Sequence, residues 1–243
     1  MTGHAAAAAA VLALIHLLAG KLRFLEGVPR SRWLSVAGGI SVAYVFAKLL
    51  PELADTQERL GESAGGFFVG LEDHAYLLAL AGLALFYGVE RVSVASRSAR
   101  RESAGEDETR PLAFWFSIGS FVVYTGLIGY ALEGEARIGA GTLALFAVAM
   151  ALHFVVTDFG LREHHKDAYT RIGRWLLAAS VLLGWLLSWA TEIPETALVA
   201  VLAFLAGGVV LNVLKEELPE RRHSRFSAFA LGAAGYAALL QLV

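Results

Sequence analysis

One apolar run, 140–161, contains a histidine, a threonine and an aspartate: His153, Thr157 and Asp158. A neutral imidazole with an oxygen ligand is a donor set that suits zinc or another first-row divalent ion. Ionisable residues at bilayer depth are rare, and they mark ion, proton or substrate paths. On a helix His153 and Thr157 share a face, whereas Asp158 lies about 140° round from His153. The pair therefore chelates well only with a group from another helix, and Asn212 is the first candidate for that group. A second reading stands beside this one. His153 is then a hydrogen-bonded core histidine, and Asp158 is an acid near the membrane surface with Arg162 one helical turn on.

Lys48 closes another apolar run, 33–50, and also has two readings. It snorkels to the surface beside Glu52, or it points into the protein as a fixed ammonium. Glu216, one turn from Asn212, either lines an exit or belongs to a solvated helix end with Lys215 and Glu217. Lys48, Thr157 and Glu216 are thus the candidate substrate-path residues. His16 reads as a packed polar residue. Glu72, Asp73 and His74 open a helix, where acids cap the N-terminus. His164-His165 is a weak metal signal. The chain has no cysteine, which excludes disulfides and thiolate metal sites. A lone His–Asp pair without a third ligand makes no hydrolytic zinc centre, and there is no nucleophile triad, phosphate loop or nucleic-acid motif. The expectation is a protein that is not an enzyme and takes no certain cofactor, with a divalent metal ion as the candidate substrate.

The elements that must position these residues follow from composition. The chain is 57% hydrophobic with mean hydropathy +0.59, against ~45–50% apolar residues in soluble domains. This is the composition of an integral membrane protein. A helical span needs ~20 apolar residues, and eight segments qualify, at roughly 5–22, 33–50, 73–93, 112–132, 140–161, 174–190, 196–214 and 225–243. Of the 20 Lys and Arg, 17 fall in alternate loops on one side, two (Arg59 and Arg137) on the other, and Lys48 lies within a span. By the positive-inside rule the basic side is cytoplasmic, which puts the protein in the cell membrane with both termini outside. The N-terminal stretch lacks the basic region of a cleaved signal and reads as the first span. Trp33, Trp115, Trp175 and Trp189 fall at span ends, as in an aromatic belt. The stretch 95–110 reads as a flexible cytoplasmic loop.

Two of the spans resemble each other. AGGISVAYVFAKLLPE (37–52) and AGGVVLNVLKEELPE (206–220) share a glycine pair, a lysine and a Pro-Glu end, although aligning the Pro-Glu ends leaves the glycines one residue out of step. The first span runs outward and the second inward, the pattern of inverted-topology repeats in secondary transporters. The expected organisation of the single transmembrane domain, 1–243, is 3+2+3. It comprises a first three-helix repeat (1–94), the loop 95–110, a central pair (111–161) and a second three-helix repeat (174–243). The repeats should superpose with Gly38 near Gly207, and Gly38, Gly39, Gly207 and Gly208 should serve close helix packing.

The AGG…KLLPE span resembles the second helix of the ZIP divalent-metal transporters, which often reads Gly-Gly…His-Leu-Leu-Pro-Glu. LEDHAYLLALAGLALFYGVERV resembles the third, and FLAGGVVLNVLKEELPE with FALGAAGYAALL the seventh and eighth. The resemblance implies an all-α bundle of eight transmembrane helices and transport of zinc or a similar ion by alternating access without ATP. The expected partner is the lipid bilayer, with a homodimer as an option. The chain departs from the family in spans four and five. Where the family has His-Asn-x-x-Asp-Gly, Phe121-Val-Val-Tyr-Thr125-Gly126 stands; where it has His-Glu-x-x-His/Pro-Glu-Glu, His153-Phe-Val-Val-Thr157-Asp158 stands; and Lys48 takes the place of a frequent His. These departures imply two alternatives: a degenerate homologue with a regulatory or scaffold role, or a carrier of a different solute.

Overall fold

The computed structural model describes residues 3–18, 32–51, 54, 75–104, 111–192, 194–217 and 225–242. Among them every regular element is helical. We number the helices α1 (Gly3–Leu18), α2 (Arg32–Tyr44), α3 (Ala75–Ala104), α4 (Pro111–Ile138), α5 (Ala140–Ala168), α6 (Arg174–Ala190), α7 (Glu195–Glu217) and α8 (Phe226–Leu240). Each coincides with one apolar segment of the sequence. Leu- and Ala-rich runs have high helix propensity, and α4 opens on Pro111, whose missing N–H costs nothing at a first helical position. Three helical stretches are long and apolar enough to cross a membrane: Ala75–Ser96, Phe114–Ile138 and Ala140–Ala190. Trp33, Trp115, Trp175 and Trp189 are exposed, together with many leucines and valines, a surface compatible with a membrane protein.

Two expectations about the connections need correction. α3 continues to Ala104, so residues 95–104 are helix rather than loop. The basic stretch between α5 and α6 is no loop either. α5 runs to Ala168, a π-helical turn covers Tyr169–Gly173, and α6 follows at once. The reversal falls at Lys166, with φ 39° and ψ −109° inside otherwise helical backbone. Phe114 meets His165 and Tyr124 meets His153, so α4 and α5 are antiparallel. Thr125 meets Ser180 and Tyr130 meets Thr191, so α4 and α6 are parallel. α5 and α6 therefore form a hairpin bent at Lys166. A non-glycine residue at this φ is strained, by ~1–3 kcal/mol.

The helices sort into two bundles. In one bundle α1 packs on α4, α5 and α6, and α4 on α5 and α6; in the other α2 packs on α8 and α7, and α7 on α3; the seam between the bundles is closed chiefly by α2 on α5. Exchanging α1 with α6, α2 with α7, α3 with α8 and α4 with α5 carries the α2–α8 contact onto α7–α3 and α1–α5 onto α6–α4. It leaves α1–α6, α2–α7 and α4–α5 in place, and every one of these contacts exists.

The glycines show the same relation atom by atom. A Cβ at Gly39 would strike the carbonyl oxygen of Phe229 and lie 2.9 Å from the amide of Ala233. A Cβ at Gly207 would strike the carbonyl oxygen of Ala79 and lie 2.6 Å from the amide of Leu83. In return, Gly232 abuts the backbone of Val36, and Gly82 that of Phe204. A shift of 168 residues takes Val36 and Gly39 onto Phe204 and Gly207, and a shift of 150 takes Ala79, Gly82 and Leu83 onto Phe229, Gly232 and Ala233. The shift of 168 is also the one that aligns Pro51-Glu52 with Pro219-Glu220. The counterpart of Gly207 is thus Gly39 and not Gly38. Of the other paired glycines, Gly38 is buried, and Gly208 is needed because a Cβ there would press on the Phe86 ring at 2.7 Å.

Candidate functional site

α1 and α5 bring His16 and Asp158 together across 142 residues of sequence. His16 Nδ1 stands 2.9 Å from Asp158 Oδ1 and 3.0 Å from Oδ2, and both side chains are fully buried. The contact leaves the imidazole Nδ1 as the donor and the carboxylate as the acceptor. His16 also stacks on Phe154, the residue after His153, at 4.4 Å between ring centroids. A buried carboxylate without such a partner would cost several kcal/mol, so the pair satisfies what the apolar surroundings demand.

His153 is 1% exposed and faces the protein interior rather than lipid, as its chemistry requires. Its Nε2 lies 3.4 Å from Thr157 Oγ1, a long contact, and its ring lies against Tyr124 at 5.6 Å between centroids. Four buried polar atoms around this centre have no hydrogen-bond partner among the described residues: His16 Nε2, His153 Nδ1 and the hydroxyls of Tyr124 and Tyr169. The Tyr169 ring lies close enough to Asp158 to feel its charge. His153 and Asp158, one candidate set in the sequence, are given separate partners by the structure. Asn212 and Glu216 lie on α7, and their side chains fall outside the described residues. Among the described residues no group of three or more His, Cys, Asp or Glu is placed to hold a metal ion. In α4, where the resemblance would place metal ligands, the Thr125 hydroxyl pairs with that of Ser180 on α6. Both hydroxyls also reach backbone carbonyls of their own helices, at 2.9 Å (Phe121) and 2.8 Å (Leu177).

Lys48 points into the protein. It lies in a π-helical turn, Val45–Leu49, that continues α2, and its Nζ donates to Glu135 Oε2 of α4 at 2.8 Å. π-turns insert a residue into the helical register and recur at functional sites. Glu52, the alternative partner, lies outside the described residues, as do Glu72, Asp73 and His74. Glu133, two residues before Glu135, is buried with Oε2 unpartnered. Near the other end of the bundles, His164 Nε2 of α5 lies 3.2 Å from Glu90 Oε1 of α3, while His165 is buried edge-on against Phe114.

Sequence reasoning missed two partners, His16 for Asp158 and Glu135 for Lys48. A signal existed for the first. α1 has one ionisable side chain in its apolar second half and α5 has an acid in its own, and each needs a partner of opposite character. The second was hidden because Glu135 sits in a stretch, LEGEAR, that reads as an outer loop but is the last turn of α4. Comparison with protein-family models, curated proteins and solved structures yields no match.

Proposed function

We propose that the chain is a ZIP-like membrane transporter whose eight helices all span the bilayer, with both termini outside the cytoplasm and the two three-helix units forming an inverted repeat. The observation that carries this reading is the exchange relation between α1–α3 and α6–α8, combined with buried ionisable groups where the bundles meet. Two packed bundles joined at one main seam have a way to rock, which is how inverted-repeat carriers expose a mid-membrane site to either side in turn. The substrate we favour is a divalent metal ion such as zinc, taken at His153 with Asp158 and Asn212. Lys48, Thr157 and Glu216 would lie along the path.

A second reading is favoured by one specific observation: Asp158 already has His16 as its partner, and no third ligand joins them among the described residues. In that case the chain is a non-transporting homologue with a scaffold role, or a carrier of another solute. Zinc or manganese titration of purified wild type against His153→Ala, with uptake into proteoliposomes, separates the readings. The transporter reading expects saturable binding that weakens at least tenfold in the variant. Equal affinity in the two proteins removes His153 from the site, and no saturable binding at millimolar metal favours the non-transporting homologue.

A further inference from the structure

Ion pairs stand at opposite ends of the seam between the bundles. Lys48 to Glu135 joins α2 to α4, and Glu90 to His164 joins α3 to α5. In each case one partner belongs to the bundle of α2, α3, α7 and α8, and the other to the bundle of α1, α4, α5 and α6. The helices joined have little other contact. Among the described residues α3 and α5 barely touch, and α2 and α4 make little or no contact. The two pairs therefore act as ties across the seam more than as parts of a packed interface. They lie at opposite ends because α2 and α5 are antiparallel. Tyr44 meets Phe146, while Leu34 clusters with Val156, so the Lys48 end of α2 lies by the start of α5, far from His164.

The ties differ in chemistry. Lysine and glutamate are not side-chain types whose ordinary pKa lies between pH 5 and 8. The Glu90–His164 tie is an ion pair only when the imidazole holds a proton, and histidine is the side chain whose charge changes between pH 5 and 8. Other charged or titratable groups at this end are Arg91 on α3, Arg162, Glu163, His165, Lys166 and Asp167 on α5 itself and Arg174 beyond the turn, and the sequence of α7, which packs on α3, adds Lys215, Glu216 and Glu217. Apart from His165, none of these side-chain types changes charge over that interval. α4 presents Phe114 here, against the buried His165. Among the described residues His164 Nδ1 has no hydrogen-bond partner, and its Nε2 faces Glu90.

We infer that Glu90 and His164 form a proton-dependent latch, which holds the two bundles in the described arrangement when their end of the protein is acidic and releases them as the pH rises. The direction follows from the pairing. A carboxylate attracts imidazolium as an ion and neutral imidazole only as a dipole, so the ion pair is complete on the acid side and is lost with the proton. Lys48–Glu135 is the pH-independent tie at the opposite end. This inference rests on the moving-bundle reading above and adds its regulation.

The natural absence of cysteine permits a direct test by spin labels on cysteine pairs, read as distance distributions in lipid nanodiscs. Ser98→Cys with Thr170→Cys reports the Glu90–His164 end, and Phe46→Cys with Ile138→Cys reports the other; all four positions are exposed. At pH 5.5 the first pair should show one dominant separation. At pH 8.5 a second, longer one should grow roughly two- to fivefold, the range expected for an ion pair of partly exposed groups. In Glu90→Gln and in His164→Gln the longer population should be present at both pH values. Lys48→Met should raise the longer population of the second pair equally at both. A wild type indifferent to pH, or a Glu90→Gln variant that keeps the wild-type response, overturns the latch while leaving the moving bundles intact if the second pair still shows two separations. A single separation for both pairs in every protein overturns the latch and the moving bundles together.

Discussion

Among the described residues α2 closes on α5 but α4 does not close on α7, although the exchange relation makes these two places counterparts. On the closed side Leu34 and Ala37 of α2 pack against Val156, and Tyr44 packs against Phe146. On the open side a groove of about 640 Å³ runs between α3, α4 and α7, lined by Leu78, Trp115, Val123, Leu127, Val201 and Leu205 among others. Ala37 and Leu205 correspond under the shift of 168 residues; one is buried in the seam, and the other lines the groove. Inside the bundle of α2, α3, α7 and α8 the two halves match to the level of single backbone atoms. Between the bundles they do not. The symmetric contacts are those in which glycine lets backbone meet backbone, with no side chain free to rearrange. The asymmetric ones are made by side chains of ordinary size, which two packings can accommodate. The difference locates rigidity within this bundle and freedom at the seam.

The largest effect should come from the buried His16–Asp158 contact within the other bundle. Asp158→Ala leaves His16 Nδ1 buried with no acceptor and should cost about 2–3 kcal/mol. Ser180→Ala, which breaks the hydroxyl pair in the exchange-related α4–α6 interface, should cost only about 1 kcal/mol. Thermal stability in detergent checks both, and equal losses would mean that the α1–α5 and α4–α6 interfaces carry the same load despite their different chemistry.

Next come the crossings. Gly39→Ala and Gly207→Ala should each lose about 1–3 kcal/mol by overpacking, and by the same amount within error. Gly119→Ala, where an added Cβ meets nothing within 4 Å, serves as the control and should be neutral or slightly stabilising. A large difference between the Gly39 and Gly207 variants would break the symmetry.

The smallest contrast concerns the seam itself. Val156→Phe should cost about 1–3 kcal/mol because its site is full. Val123→Phe, at a position 62% exposed in the groove, should stay within about 0.5 kcal/mol. A costly Val123→Phe would show that the groove is closed for most of the time.

The helical segments were legible because each is a long apolar run, and no local feature competes with that signal. The likeness of α2 to α7 was legible in outline and misread in register. The Gly-Gly pairs invited an alignment one residue off, whereas the Pro-Glu ends carried the true shift. Lys166 was illegible. A stretch with Arg162, His164, His165, Lys166 and Arg171 reads as a solvated loop, yet the chain is helical on both sides of Lys166 and one set of dihedrals makes the turn. The partner of Asp158 was illegible for another reason. Periodicity identifies which face of a helix is buried, but not which distant helix lies against it. The orientation of Lys48 depended on a π-turn, and nothing in VFAKL marks a π-turn apart from an α-helical one.

The reversal at Lys166 also bears on how displacement travels. A connection of a dozen flexible residues would let α5 slide while α6 stayed still. A single strained residue offers no such slack, and the π-helical turn after it is anchored by Gly173 against the Ile118 side chain of α4. A push along the axis of α5 is thus delivered to α6, and from there to α1 and α4, so that these helices respond as one stiff lever with its elbow at Lys166.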